Sequence, residues 1–294
     1  MRTESGSAAV LLAATVAALV WANLAGASYQ ALWRTELSVQ VGGSGVAMDA
    51  VGWVNSGLMT FFFFVVGLEA RRELDLGELR ERRRMILPVA AGVAGMSVAA
   101  LLYLVVNAGE ASAWGWGVAM STDTAFALGM LALIGPRFPE RLRAFLLTVV
   151  VVDDVVALLV IATVYTSQLH VIPLLTAFAL FAGILVLKRF RVRQGVVYLL
   201  FGIATWVAML RSGVDPVVVG LAMGLLTYAS PAGRGDLERA TDRFRDFREQ
   251  PTPALARSAR AGLQQAISPN ERLQEAFHPW TSFVIVPLFA LANA

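Results

Sequence analysis

Long apolar stretches separated by short polar ones run the length of this chain. Nine apolar segments stand out, at 6–27, 51–70, 86–107, 113–134, 144–165, 171–188, 195–210, 214–230 and 277–294. Most approach the ~20 residues a helix needs to cross the ~30 Å hydrocarbon core of a bilayer. The first follows Arg2 and ends in Ala-Gly-Ala, as a signal peptide can. Its apolar run is longer than a usual signal core, so it is read as a membrane helix. The pattern predicts an all-α polytopic membrane protein of about nine transmembrane helices, one membrane domain over 1–294.

Two polar stretches break the rhythm. In 28–50, Glu36-Leu-Ser-Val-Gln-Val41 alternates polar and apolar residues and is followed by Gly-Gly-Ser-Gly. This predicts a small β-hairpin at 36–48 outside the membrane, with a flexible loop as the other reading. A free hairpin edge could pair with a second copy, giving a homodimer. The stretch 231–276 alternates charge signs and carries prolines. It is expected to be a solvated, partly helical cytoplasmic linker.

Charge fixes an orientation. With the N-terminus cytoplasmic and the segments alternating, all but Arg34 and Arg211 of the 24 basic residues fall in inner loops. This is a strong positive-inside asymmetry, and one helix more or fewer would scramble it. The net charge of +3 is therefore a topology signal touching lipid, with no implication of nucleic acid. Composition agrees: 57% of residues are apolar and 15% charged, against about a quarter charged in soluble domains. Mean hydropathy is +0.65. The absence of cysteine and the presence of only two histidines, His170 and His278, argue against disulfides and thiolate or His-rich metal sites.

The chemistry lies at the bilayer midplane. Asp153 and Asp154 are the tenth and eleventh residues of the run 144–165. One Asp at a helix centre costs roughly 2.5–3.5 kcal/mol on insertion scales. Adjacent carboxylates also repel when both are ionised, so they titrate as a coupled unit. Asp123 is the eleventh residue of 113–134, inside Ser121-Thr122-Asp123-Thr124. Such side chains offer the backbone non-helical hydrogen bonds, which predicts an interrupted helix near 121–124. Carboxylates, hydroxyls and carbonyls are hard donors suited to Na+, Li+, Mg2+ or Ca2+. A site holding either a cation or protons suffices for exchange. The competing reading is a pair of neutral acids hydrogen-bonded within a bundle.

Several blocks extend the match beyond the acids: Asn55-Ser-Gly-Leu-Met through Gly67-Leu-Glu-Ala-Arg-Arg-Glu73, Ser121-Thr-Asp-Thr-Ala-Phe-Ala-Leu-Gly129, Val152-Asp-Asp-Val155, Arg211-Ser-Gly-Val214, His278-Pro-Trp280 and Pro287-Leu-Phe-Ala-Leu-Ala-Asn-Ala294. Through them the chain resembles the NhaA-type sodium/proton antiporters, a family of inverted repeats and broken helices. The resemblance implies an antiporter of the cell membrane working in pH and sodium homeostasis. Asp153 and Asp154 would hold Na+ transiently or exchange protons, with Thr122 near the ion. Asp123 would compensate helix dipoles. Glu69, Arg72 and Glu73 would form the cytoplasmic entrance and pH-sensing cluster; without the resemblance they read as a solvated helix end. No cofactor is implied. No bond is made or broken, so no enzyme is expected.

Three departures qualify the match. The family usually has Asp where this chain has Ser56. After Ser-Gly-Val it typically has His, where this chain has Asp215-Pro216. The family also has twelve helices, whereas this chain ends with the ninth. The other three would bring a second interrupted helix and a membrane lysine paired with the first Asp of the pair. Lys188, the only lysine, lies at an inner loop boundary. The expectation is a truncated chain. The alternatives kept open are a non-transporting membrane subunit of the same fold and a proton-conducting channel.

Overall fold

The computed structural model describes residues 2–41, 44–80, 82–120, 139–166, 169–190, 192, 194–230 and 233–294. Among these, seven helices are long and apolar enough to cross a membrane. They are α1 (Arg2–Leu24), α3 (Ala50–Asp75), α4 (Arg82–Val106), α6 (Glu140–Val164), α7 (Val171–Arg189), α8 (Gly195–Ser212) and α12 (Pro269–Ala292). The short helices are α2 (Gly26–Trp33), α5 (Trp116–Met120) and the apolar α9 (Val217–Leu226). Two polar ones, α10 (Arg234–Glu249) and α11 (Pro253–Ala266), fill most of the expected linker. The chain is an all-α, multi-pass membrane protein. The interrupted helix expected near 121–124 lies outside the described residues.

The hairpin is present. β1 (Glu36–Val41) and β2 (Ser44–Asp49) pair antiparallel, with Glu36 opposite Asp49 and Val41 opposite Ser44. Asp49 then accepts the Gly52 N–H at 2.8 Å and starts α3. Gly45 and Arg211 link the hairpin to α8, the guanidinium donating to the Gly45 carbonyl at 3.3 Å.

Two spanning helices contain a π turn, Trp53–Leu58 in α3 and Thr281–Ile285 in α12. In α12 the cause is local. Pro287 has no N–H to give the carbonyl four residues back and crowds it, so the turn that precedes it widens. In α3 the widened turn exposes the Ser56 carbonyl, which accepts the Trp206 indole N–H of α8 at 3.0 Å. The α3 π turn meets the end of α12, where the Asn55 and Asn293 amides donate to each other at 2.9 Å.

Packing is tightest between α3 and α9. A side chain at Gly220 or Gly224 would collide with the backbone carbonyls of Thr60 or Phe64, and one at Gly67 with that of Leu221. These glycines bring two membrane helices to backbone contact, where dispersion and close packing replace the hydrophobic drive available in water. Val66 of α3 and Val217 and Leu221 of α9 then close on Leu158 of α6, all at most 4% exposed.

Candidate functional site

Asp153 and Asp154 sit within α6, whose apolar window runs from Phe145 to Val164. Asp153 is buried at 5% exposure and Asp154 is half-buried. The residues just after them wedge α6 between two groups of helices. Val155 and Leu158 pack on α3 and α9. Val156 and Val160 pack on Met96 and Ala100 of α4 and on Met120 of α5. The acid pair is thus carried at the junction of two packed groups, where hard-oxygen ligands are the chemistry on offer. Thr122 and Asp123 lie outside the described residues. No group of three or more His, Cys, Asp or Glu with metal-binding spacing occurs among the described residues. Among the described residues, carbonyls and hydroxyls would have to complete any cation shell built on the pair.

A second polar region lies at the opposite end of α3 from the hairpin. Glu69 and Glu73 are half-buried there and Arg72 is exposed. Arg72 faces α12 across an open recess of about 470 Å3, lined also by Ile267, Glu271, Gln274, Glu275 and His278. Of the three residues expected at the entrance, Arg72 alone lines this recess. Phe61 and Phe64 of α3 hold its two walls together, stacking on and meeting edge-on Phe277 of α12 at 6.3 and 5.9 Å.

Three side chains whose partners escaped the sequence reading grip one short segment, 226–229. Asn270, fully buried, donates its amide to the Leu68 carbonyl of α3 at 3.0 Å and the Thr227 carbonyl after α9 at 2.9 Å. Its own oxygen accepts from Gln274 at 2.7 Å. Asp75 accepts both the Arg71 guanidinium at 2.8 Å and the Ala229 N–H at 3.1 Å. Lys188 donates to the Leu226 carbonyl at 2.6 Å, satisfying an end carbonyl of α9. The sequence signalled one part of this. Ser268-Pro-Asn-Glu271 is a capping box, and Ser268 does accept the Glu271 N–H at 3.2 Å. Nothing in the sequence pointed to the long-range partners.

The departures from the family pattern have local structural roles. Ser56 lies in the α3 π turn and is held through its carbonyl by Trp206. Asp215 accepts the Val217 N–H at 3.0 Å, so its carboxylate stands at the N-terminus of α9, where the helix dipole favours negative charge.

The sequence comparisons agree on one lineage. A family described as Na+/H+ antiporter 1 matches residues 1–294. Na(+)/H(+) antiporter NhaA 1 of Salinispora arenicola is 59% identical over 293 residues, covering 100% of this chain and 45% of the relative. Na(+)/H(+) antiporter NhaA 1 of a Mycobacterium species (strain KMS) is 45% identical over 99% of this chain and 48% of its own length. Na(+)/H(+) antiporter NhaA 2 of Sorangium cellulosum is 44% identical over 100% of this chain and 65% of its own length. The chain spans about half the length of the first of these relatives.

Proposed function

The chain belongs to the Na+/H+ antiporter 1 family, and from that premise we propose that it carries the exchanging carboxylates of a secondary transporter moving cytoplasmic Na+ or Li+ out against external protons. One observation carries the reading: two adjacent acids, one of them 5% exposed, in the interior of an apolar membrane helix. A site of this kind binds protons or a cation in competition, because the two charges repel when neither is present to neutralise them. Asp153 and Asp154 are the exchanging pair, Thr122 an ion neighbour and Asp123 the dipole-compensating charge. More than one proton released per cation would make the exchange electrogenic. Alternating access would move one helix group against the other about this pair.

The recess beside Arg72 is the proposed cytoplasmic entrance, with Glu69 and Glu73 as its titrating neighbours. The N-terminus is cytoplasmic in this reading, and a homodimer forms through the free edges of the β1–β2 hairpin. The test is Na+-driven collapse of a pH gradient in everted vesicles bearing the full-length protein. Sodium should dissipate the gradient, and Asp154→Asn should abolish the effect while the protein remains in the membrane. Absence of any sodium response in the unaltered protein would refute antiport, and proton flux without added cation would instead mark a channel.

A further inference from the structure

The α10–α11 hairpin carries an apolar face that no described part of the chain covers. The two helices run antiparallel around a three-residue connection and meet through small residues, Ala240 against Gly262. Four large apolar side chains stay outside that contact: Leu237 at 49% exposure, Phe244 at 50%, Leu263 at 51% and Ile267, just past α11, at 41%. At ~100° per residue, Leu237 and Phe244 fall on one line of α10, with Thr241 between them. Leu263 and Ile267 fall on one line continuing α11. In each helix this line lies about a quarter turn onward from the contact line, in the same rotational sense. Because the helices are antiparallel, both lines emerge on the same side of the hairpin.

The charges favour that side. By the same periodicity, Arg234, Arg245 and Arg248 lie within about a quarter turn of the Leu237–Phe244 line, with Asp236 the one acid at the edge of that sector. Glu238, Asp242, Asp246 and Glu249 lie farther round, together with Arg239 and Arg243, and Arg234 and Arg245 reach Glu238 and Glu249 at 3.6 and 3.2 Å. The tethers are short. Seven residues join α9 to α10, and two join α11 to α12. The start of α12 is pinned by Asn270 to the end of α3. The hairpin is therefore tethered beside the ends of membrane-spanning helices.

We propose that this face docks on the anionic lipid headgroups of its own side of the membrane, the cytoplasmic leaflet in the orientation given above. Apolar side chains insert at the headgroup–acyl boundary while flanking arginines meet phosphate, the arrangement of interfacial amphipathic helices. Four half-exposed side chains do not supply the roughly 800 Å2 per partner of a standard protein interface, which disfavours a second copy as the occupant.

The chain has no cysteine, so positions within it can be labelled one at a time in a cysteine-free full-length protein. Thr241→Cys lies on the apolar line and leaves Leu237 and Phe244 intact; Asp246→Cys lies opposite. Each carries a fluorophore, in nanodiscs holding one copy, made of phosphatidylcholine with or without phosphatidylglycerol. A spin label near the lipid headgroup should quench the 241 probe on the order of threefold more than the 246 probe in anionic discs. The difference should shrink without phosphatidylglycerol or at high salt. Adding Leu237→Ser and Phe244→Ser should erase it. Equal quenching at both positions overturns the proposal, as does a difference that survives the double serine substitution. Shielding of the 241 probe that instead grows with protein concentration in detergent overturns it in favour of a second copy. Single-copy discs need neither transport nor a known orientation, so failure here leaves the antiport reading standing.

Discussion

The amide of Asn270 makes three hydrogen bonds in a fully buried position, bridging α3, the segment after α9, and α12. Replacing it with alanine leaves two backbone carbonyls without that donor, and each buried, unsatisfied group costs ~1–3 kcal/mol. Lys188 makes an equally direct bond to the Leu226 carbonyl, but from an exposed position where water can replace the ammonium. Asn270→Ala should therefore lower the thermal midpoint in detergent by an amount matching about 2–4 kcal/mol. Lys188→Met should stay within about 0.5 kcal/mol of the parent, as most surface changes do. A Lys188→Met cost equal to that of Asn270→Ala would mean that the end of α9 is held by charge instead of by buried amides. Neither role was legible in the sequence. An Asn in a capping box and a lysine at a helix end are both explained locally, and their partners lie 38 to 202 residues away. Asp153 and Asp154 were legible because they break an apolar run, so their cost is visible without knowing what surrounds them.

At the scale of elements, the glycines of α3 and α9 fix how closely the two helices approach. Gly220→Val would drive its side chain into the Thr60 carbonyl, where only backbone can yield. Overpacking of this kind costs about 1–3 kcal/mol, and unfolding in detergent should show it as a lowered midpoint. Gly95 of α4 is the contrasting case: nothing lies within 4 Å of the place its side chain would occupy. Gly95→Ala should be neutral or stabilising by about 0.5–1 kcal/mol, since the unfolded chain loses the flexibility of glycine. The spanning helices themselves were readable from apolar length alone, because the bilayer imposes it. Their ends were less so. α12 begins at Pro269, where the apolar reading started the last segment at 277. Its first two turns are polar on the face that meets the recess and the α9 end, so hydropathy counts them as linker. The π turns were invisible for a related reason: they are answers to Pro287 within the helix and to Trp206 from α8, and only the first is a local signal.

For the whole molecule, one inference from charge can be tested at both ends of the fold at once. The β1–β2 hairpin and the α10–α11 turn belong to loops separated by an odd number of membrane crossings in the proposed topology, so they must open on opposite sides. Gln40 of β1 and Gln250 after α10 are both exposed and avoid the acid pair and the recess. In a cysteine-free full-length protein, Gln40→Cys should react with a membrane-impermeant maleimide on intact cells, and Gln250→Cys only after the membrane is permeabilised. The basis is the distribution of arginine, which resists translocation and so, in the proposed topology, would hold 231–276 inside. The fold constrains the outcome further, because α9 is only ten residues long. At 1.5 Å per residue it covers about 15 Å, half of the hydrocarbon core. In the proposed topology it completes a crossing while packed on α3 and α6, with Asp215 capping one end and Lys188 of α7 and Asn270 of α12 holding the carbonyls at and after the other. Both cysteines reacting on intact cells would show that a segment between them returns to the face it entered from, with the ten-residue α9 the first candidate. The arginine-rich loop would then lie outside, and the positive-inside reading that orients the entrance recess would fall with it.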